Sequence, residues 1–153
     1  MIVRQIMKTD ILTIAKGTSY RQVAKLLLEK KVSGAPVIDK GGDIIGIVSE
    51  KDLFKAIYPS YNDFYSSPDS FLDFDKLEKE SNEVSDKLVE DFMSPRLITT
   101  TPTTPILKVG AIMVATAIHR VPVVENGKLV GMVSRGDVYR AILREHFKMW
   151  DVK

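Results

Sequence analysis

The sequence contains no cysteine among its 153 residues. Disulfide bonds, thiolate catalysis and cysteine-ligated zinc or iron–sulfur sites are therefore excluded. Histidine is also scarce: His119 and His146 are the only two, so a histidine-rich metal site cannot form. We accordingly predict no metal site.

Neither sign of charge predominates. The chain has 22 Lys+Arg and 20 Asp+Glu, a net charge of +2, whereas a nucleic-acid-binding surface would show a cluster of basic residues. No apolar run approaches the roughly 20 residues needed to span a membrane, and the N-terminal segment lacks the apolar core of a signal peptide. We expect a cytoplasmic protein that binds neither nucleic acid nor a membrane.

The two halves of the chain repeat each other. Pro36 recurs as Pro122, 86 positions later, and Asp52 recurs as Asp137, 85 positions later. Many residues between these positions are identical or similar in the same register. Such regular self-similarity indicates an internal duplication.

Both copies predict the same succession of elements, β-α-β-β-α. Apolar residues at helical spacing follow a short apolar stretch, and two apolar runs then flank a turn. Thr104-Pro105 is typical of a helix start, with a capping hydroxyl before a proline, and Asn126-Gly127 indicates a hairpin. The predicted helices are Ser19–Lys31, Glu50–Tyr58, Pro105–Ala117 and Arg135–Phe147, and the predicted hairpin strands are Ala35–Asp39, Ile44–Val48, Val121–Glu125 and Leu129–Val133.

A single unit of about 50 residues would bury too little surface to be stable alone. We therefore predict an α/β (α+β) fold in which two repeats, residues 1–58 and 88–153, pack sheet to sheet with pseudo-twofold symmetry. The insert between them, residues 59–87, is rich in aromatic residues, and Ser67-Pro68-Asp69 is typical of a helix start. We expect this insert to be partly helical and packed on the repeats; a partner-docking element is the alternative.

A Ser-x-x-Asp motif occurs where a strand is predicted to end and a helix to begin, at Ser49 to Asp52 and at Ser134 to Asp137. In one interpretation the motif is a capping box that satisfies free backbone donors. In the other, the helix N-terminus attracts a phosphate and the aspartate accepts the hydroxyls of a ribose. Duplication would copy either feature, so both interpretations stay open.

His119-Arg120 follows a predicted helix in the second copy, where the first copy has Ser33-Gly34. The two cations could stabilise the C-terminal end of that helix. They could equally bind a phosphate, for which the arginine side chain provides a fork of donors.

These motifs resemble those of a tandem pair of CBS domains (cystathionine-β-synthase domains), the regulatory unit called a Bateman module. The resemblance rests on VSGAPVID at 32–39 and IHRVPVVE at 118–125, together with IGIVSEKDL at 45–53 and VGMVSRGDV at 130–138. It covers about four fifths of the chain and implies a stand-alone pair that binds an adenosine-containing ligand.

The resemblance also implies roles for individual residues. The aspartates would hold the ribose hydroxyls, the motif serines would lie near phosphate, and the apolar residues two positions before those serines would border the base. His119 and Arg120 resemble a phosphate-binding pair in the gamma subunit of AMP-activated protein kinase. The full set implied is Asp137, Ser134, Met132, Arg135, His119, Arg120 and Thr103 in the second copy, and Asp52, Ser49, Ile47, Ser33, Gly34 and Ala35 in the first.

The two implied sites differ in charge. Arg135 adds a cation beside the expected phosphate in the second copy, whereas Glu50 adds an anion in the first. Gly17 stands where the second copy has Thr103. We therefore expect the Asp137 site to be the one that is occupied more readily.

The predicted function is regulatory sensing of AMP, ADP, ATP or S-adenosylmethionine through a conformational change, with no cofactor required. The alternative is a ligand-free structural, dimerisation or protein-interaction module. No hydrolase, zinc-protease, P-loop or dinucleotide fingerprint is present, so we expect no catalytic residues. The resemblance implies a homodimer formed through helices, and an unidentified effector protein would then read the state of the module.

Overall fold

A computed structural model describes residues 1–58 and 74–149. The chain divides into two compact units, which we name the Asp52 unit (Leu12–Leu97) and the Asp137 unit (Met1–Ile11 and Ile98–Lys153). The N-terminal eleven residues thus belong in space with the second repeat. The two units are defined by contacts between residues, so their boundaries differ from those of the repeats in the sequence.

The Asp52 unit contains the strands β1 (Ile14–Ala15), β2 (Gly34–Ile38) and β3 (Ile44–Ser49) and the helices α1 (Tyr20–Lys30), α2 (Glu50–Ile57), α3 (Phe74–Glu83) and α4 (Val89–Phe92). The strands form one sheet in the order β1-β2-β3, in which β1 is parallel to β2 and β2 is antiparallel to β3. A 3₁₀ turn at Val84–Asp86 follows α3.

The Asp137 unit has a similar arrangement, with two strands in its sheet. Strands β4 (Arg120–Glu125) and β5 (Lys128–Ser134) form an antiparallel pair. Thr100 adds a parallel bridge to Val123, as Ile14 of β1 does to Val37 in the other unit. Helices α5 (Ile106–Thr116) and α6 (Arg135–His146) precede and follow this pair, and Val3–Gln5 forms a 3₁₀ turn.

Each unit has its own hydrophobic core, in which apolar side chains from the helices pack on three β-branched side chains from the strands. These residues favour strands because a branched side chain packs well on a pleated surface. Burying one such side chain contributes roughly 1.5–3 kcal/mol. The core of the Asp52 unit includes Ile14, Val23, Leu27, Val37, Val48 and Leu53, and that of the Asp137 unit includes Val3, Val109, Met113, Val121, Val123, Val133 and Val138.

A glycine in each hairpin allows another segment to cross the strand closely. A Cβ atom at Gly46 would lie 2.8 Å from the carbonyl oxygen of Ser94, and one at Gly131 would lie 2.9 Å from that of Lys8. Both crossing segments form an antiparallel bridge to the strand, Ser94 to Ile47 and Lys8 to Met132. The N-terminal segment is therefore held against β5 by backbone hydrogen bonds.

The predicted succession of elements is confirmed in the first repeat, and in the second except that its leading strand is reduced to the bridge at Thr100. Helix and strand ends are shifted by one or two residues. The expected cap at Thr104 is wrong: the N-cap of α5 is Pro105, with no side-chain hydrogen bond. The Thr104 hydroxyl instead accepts from the backbone N–H of Thr101 at 3.3 Å, so it closes the preceding turn.

Part of the insert is helical, as α3 shows. The predicted helix start at Ser67-Pro68-Asp69 lies outside the described residues. Within the part of the chain that the structure describes, we find no helix with the length and apolar composition needed to cross a membrane.

Candidate functional site

Asp137 lies at the first turn of α6, where the chain leaves β5. Its Oδ2 atom accepts two hydrogen bonds from Ser134, at 2.9 Å from the backbone N–H and 2.6 Å from the hydroxyl. The backbone N–H of Asp137 donates to the Ser134 hydroxyl at 3.2 Å. This reciprocal pair is a capping box, and it fixes the orientation of the carboxylate.

The other carboxylate oxygen of Asp137 faces cations. Its Oδ1 atom lies 2.8 Å from the Arg140 guanidinium and 3.9 Å from the Lys8 ammonium. The Asp137 side chain is only 9% exposed, whereas those of Arg140 and Lys8 are 53% and 68% exposed. The anion is thus fixed and partly buried, while both cations can move into solvent.

Gly136 makes room for the Arg140 side chain. A Cβ atom at this position would lie 3.1 Å from a guanidinium nitrogen of Arg140. The first copy has Lys51 at the equivalent position. A side chain at position 136 would therefore crowd the Arg140 guanidinium, and Gly136 leaves that space open.

The pKa of Asp137 is lowered from its ordinary value of 3.8. Burial is the largest single influence and acts in the opposite direction, because it disfavours the charged form. The two hydrogen bonds from Ser134, with the charges of Lys8 and Arg140, together outweigh that burial. Asp137 is consequently a carboxylate at neutral pH.

His119 and Arg135 meet beside this cap. The backbone N–H of Arg135 donates to the carbonyl oxygen of His119 at 2.8 Å, and the Arg135 guanidinium lies 3.1 Å from Nε2 of His119. Because arginine can only donate, Nε2 of His119 is the acceptor of this hydrogen bond. Both side chains are exposed.

Backbone pairing places two more predicted residues at the same end of the hairpin. Arg120 lies opposite Ser134 in the ladder, and Met132 lies opposite Pro122. Met132 is 9% exposed, and its backbone N–H and carbonyl groups pair with Lys8. The structure therefore brings together six predicted residues at the junction of β4, β5 and α6: Met132, Ser134, Arg135, Asp137, His119 and Arg120.

Thr103 belongs to the loop that precedes α5. Its hydroxyl lies 3.3 Å from that of Thr101, whose own hydroxyl is 3.0 Å from that of Thr104. This threonine cluster is exposed or half-buried. No hydrogen bond of the described residues joins Thr103 to Asp137, so its place in the site stays a prediction.

The equivalent cap in the Asp52 unit has the same hydrogen bonds. Asp52 Oδ2 accepts from the Ser49 N–H at 2.8 Å and from the Ser49 hydroxyl at 3.0 Å. The N–H of Glu50 donates to the carbonyl of Ser33 at 2.9 Å. Ladder pairs set Gly34 opposite Ser49 and Ala35 opposite Val48, and Ile47 bridges to Ser94.

The charges around this second cap are different. Glu50 occupies the position of Arg135, and Ser33 that of His119. Among the residues that the structure describes, no cation lies within ion-pair distance of Asp52. The two caps thus share a backbone geometry but not an electrostatic environment.

Sequence reasoning missed Lys8 and Arg140. Arg140 could have been found, because a cation three residues after an aspartate on a helix lies on the same face. Nothing in the sequence near Lys8 indicates that its segment pairs with β5, since that contact joins residues more than 120 positions apart.

The sequence of this chain is similar to those of one protein family. The CBS domain family matches residues 3–59 and 89–144. The chloroplastic CBS domain-containing protein CBSX2 of Arabidopsis thaliana is 33% identical over 144 residues, which are 90% of this chain and 60% of that protein. The uncharacterized protein MJ1426 of Methanocaldococcus jannaschii is 32% identical over 155 residues, covering 94% of this chain and 92% of that one. The chain thus spans about three fifths of the chloroplast relative and most of the archaeal one.

The chain is also similar to a solved structure and to part of an enzyme. The crystal structure of CBSX2 in complex with AMP matches with a TM-score of 0.70 and 32% identity, over 94% of this chain and 96% of that one. An enzyme, the A-adding tRNA nucleotidyltransferase of Aquifex aeolicus, is 27% identical over 96% of this chain and 15% of its own length. With both repeats matched by the family, the chain belongs to the CBS domain family as a tandem pair.

Proposed function

We propose that this protein is a regulatory module that binds an adenosine nucleotide at the Asp137 cap and signals by a change of conformation. AMP is the first ligand to test, because CBSX2, at 32% identity, was crystallised in complex with AMP. S-adenosylmethionine, ADP and ATP are the further adenosine ligands that the family resemblance implies.

One observation carries the proposal: the two oxygens of Asp137 have different environments. Oδ2 is held by Ser134, whereas Oδ1 contacts two exposed cations, Arg140 and Lys8. A carboxylate oxygen has two lone pairs, so Oδ1 can accept ribose hydroxyls when Arg140 moves aside. A helix cap alone does not require two cations at its outer oxygen.

The remaining residues supply the phosphate and base contacts in this proposal. The positive end of the α6 helix dipole favours an anion, and Arg135 adds a fork of charged donors. His119 and Arg120 supply the further phosphate contacts, while the Ser134 hydroxyl keeps its hydrogen bond to Asp137. Met132, nearly buried at the strand end, provides apolar surface for the base.

The Asp52 cap would act as a second, weaker site. Asp52 has the same anchored Oδ2, and Ser49, Ser33, Gly34, Ala35 and Ile47 line the equivalent end of the hairpin. Glu50 places a negative charge where the other site has Arg135. Repulsion between this carboxylate and a phosphate lowers the expected affinity for nucleotides.

Isothermal titration with AMP tests the proposal. The wild-type protein should bind AMP, and Asp137→Ala should weaken binding by at least about 10-fold, because even one hydrogen bond to a charged group contributes about 1.5–3 kcal/mol. Asp137→Asn, which keeps the shape of the side chain, should also weaken binding. This second variant tests whether the loss of AMP binding by Asp137→Ala results from loss of folding.

Asp91→Ala is the matched control. Asp91 accepts a hydrogen bond from the backbone N–H of Leu88 at the start of α4, so it caps a helix outside both candidate sites. Its removal should leave AMP affinity unchanged. If Asp137→Ala destabilises the fold while AMP binds as in the wild type, Asp137 is only a cap, and the ligand-free module is the better description.

We also propose that the protein forms a homodimer through exposed apolar helix faces. In the Asp137 unit, the α5–α6 face exposes Leu107, Val114 and Tyr139 at 54%, 86% and 61%. In the Asp52 unit, the α1–α2 face exposes Leu28, Phe54 and Tyr58 at 76%, 62% and 44%. Large apolar side chains grouped on a surface favour association.

A further inference from the structure

Two cations of the Asp137 unit converge on one carboxylate oxygen. The Arg140 guanidinium lies 2.8 Å from Oδ1 of Asp137, and the Lys8 ammonium lies 3.9 Å from it. In the part of the chain that the structure describes, neither cation forms an ion pair with another acidic residue. One carboxylate neutralises only one of them, so the group of three side chains carries a net positive charge.

Two separate elements hold these cations at the cap. Lys8 belongs to the N-terminal segment, and its backbone N–H and carbonyl groups both pair with Met132 at 2.9 Å. Arg140 follows Asp137 by three residues on α6, and Gly136 leaves space for its guanidinium. The Lys8 and Arg140 side chains are 68% and 53% exposed, so both can turn toward a bound anion.

The first repeat shows that the cap does not need this pair of cations. Asp52 makes the same cap hydrogen bonds with its own serine. Ser94 stands at the position of Lys8. Lys55 stands at the position of Arg140 and makes no ion pair with Asp52 among the described residues. The two converging cations are therefore a feature of the Asp137 unit beyond its helix cap.

These cations are separate from the basic group that the proposed function assigns to the phosphate of a 5′-nucleotide. That group is centred on Arg135, whose guanidinium lies 3.1 Å from His119 and makes no ion pair with Asp137. Lys8 and Arg140 lie instead at Oδ1, the oxygen that would accept the ribose hydroxyls. A ligand whose ribose carries only hydroxyls would displace both cations and offer them no anion in return.

A phosphate ester on the ribose would give these cations an anion. The 2′ and 3′ oxygens of a ribose lie on adjacent carbons, so one can carry a phosphate while the other still donates a hydrogen bond to Oδ1. Arginine provides a fork of donors that matches a phosphate, and lysine provides a point charge. The net positive charge of the three side chains offsets the repulsion between that phosphate and the Asp137 carboxylate.

We propose that the Asp137 site takes an adenosine nucleotide that carries one phosphate at the 5′ oxygen and a second at the 2′ or 3′ oxygen of its ribose. Arg140 and Lys8 bind the second phosphate, and Asp137 accepts a hydrogen bond from the remaining ribose hydroxyl. This inference rests on the proposed function. It adds the phosphorylation pattern of the ligand and two residues that determine specificity.

Isothermal titration with two isomers tests the second phosphate. Adenosine 3′,5′-bisphosphate and ADP have the same composition, but ADP carries both phosphates at its 5′ end. Arg140→Gln should weaken binding of the bisphosphate about 10-fold, because the variant loses charged hydrogen bonds to the phosphate. The same variant should tighten binding of AMP and ADP, since Arg140 has to move aside for their ribose hydroxyls. Adenosine 2′,5′-bisphosphate, titrated in the same way, distinguishes the two ribose positions.

Lys8→Gln should change the affinities in the same directions by a smaller factor, because the ammonium lies farther from Oδ1. Lys25→Gln is the matched control. Lys25 lies 3.9 Å from Glu29 on α1, the same distance as Lys8 from Asp137, but outside both candidate sites. Its replacement should leave the affinity for every one of these nucleotides unchanged.

The outcomes separate this inference from the proposed function. If Arg140→Gln changes the affinities for ADP and for both bisphosphates alike, the second phosphate site is overturned. AMP binding that is lost in Asp137→Ala would then still support the proposed function. If the wild-type protein binds none of these nucleotides, the proposed function fails, and the second phosphate site fails with it.

Discussion

In both units, a serine at the end of a strand and an aspartate three residues later close the first turn of a helix. The backbone N–H of Ser49 donates to Asp52 at 2.8 Å, and that of Ser134 donates to Asp137 at 2.9 Å. The two caps make the same three hydrogen bonds. The geometry of the motif alone therefore cannot tell a structural cap from a ligand site.

The surroundings of the two caps differ. Asp137 has Arg140 and Lys8 at its outer oxygen, and Arg135 and His119 lie beside its serine. Near Asp52, the position of Arg140 holds a lysine and that of Arg135 holds a glutamate, whereas the positions of Lys8 and His119 both hold serine. Duplication copied the backbone pattern, but the charges that decide which ligand is favoured belong to each unit separately.

The largest expected difference between the units concerns their hairpin glycines. Gly46→Ala would bring a Cβ atom 2.6 Å from the Met93 sulfur and 2.8 Å from the Ser94 carbonyl oxygen. Gly131→Ala would bring one 2.9 Å from the Lys8 carbonyl oxygen. Overpacking of this kind costs typically 1–3 kcal/mol, so we expect about 2–3 kcal/mol for Gly46→Ala and about 1–2 kcal/mol for Gly131→Ala.

Urea denaturation of both variants measures these losses. Gly41→Ala is the control, because a Cβ atom at Gly41 would lie 3.4 Å from its nearest neighbour, a side-chain oxygen of Asp39. Its unfolding free energy should be close to that of the wild type. Equal losses of unfolding free energy for Gly46→Ala and Gly131→Ala would show that the two crossing segments shift equally easily. The units would then not differ in this respect.

The lowered pKa of Asp137 gives a smaller effect that depends on pH. Because the folded-state pKa lies below the ordinary value of 3.8, the carboxylate stabilises the folded state at pH above that value. This contribution is lost as pH falls through the lowered folded-state pKa. The wild type should therefore lose more unfolding free energy than Asp137→Asn on acidification from neutral pH.

Denaturation at a series of pH values measures this loss, and a carboxyl NMR titration measures the pKa directly. Lys8→Gln removes one of the charges that lower the pKa, so its stability should depend less steeply on pH than that of the wild type. Identical pH profiles for the wild type and Asp137→Asn would show that the cap contributes no charge-dependent stability.

Most of the fold could be predicted because the same pattern of residues occurs in both repeats. Apolar periodicity and turn residues appear in both copies, and each copy checks the other. The strand ends at Gly34 and Arg120 were missed because neither residue is apolar, and backbone pairing with Ser49 and Ser134 decides their place.

The association of the N-terminal segment with the second repeat could not be predicted. Repeats in a sequence show which residues are equivalent, but not which copy a connecting segment packs against. Lys8 reaches Asp137 only because its backbone pairs with Met132. Long-range pairing of this kind leaves no local pattern, so the site residues on the hairpin were predictable and this cation was not.

The smallest expected effect concerns Arg140, whose ion pair with Asp137 must open before ribose hydroxyls can reach Oδ1. An ion pair with a partner as exposed as Arg140 contributes roughly 0.2–1 kcal/mol, which corresponds to about a 1.5- to 5-fold change in affinity. Arg140→Gln should therefore tighten AMP binding within that range. Isothermal titration of the wild type and the variant measures the difference.

Lys55→Gln is the matched control, since Lys55 is the equivalent residue in the first repeat and makes no ion pair with Asp52 among the described residues. It should leave AMP affinity unchanged. Weaker AMP binding by Arg140→Gln would contradict the displacement and show that Arg140 turns from the carboxylate to the phosphate. The sign of this one change thus separates an arginine that competes with the ligand from one that binds it.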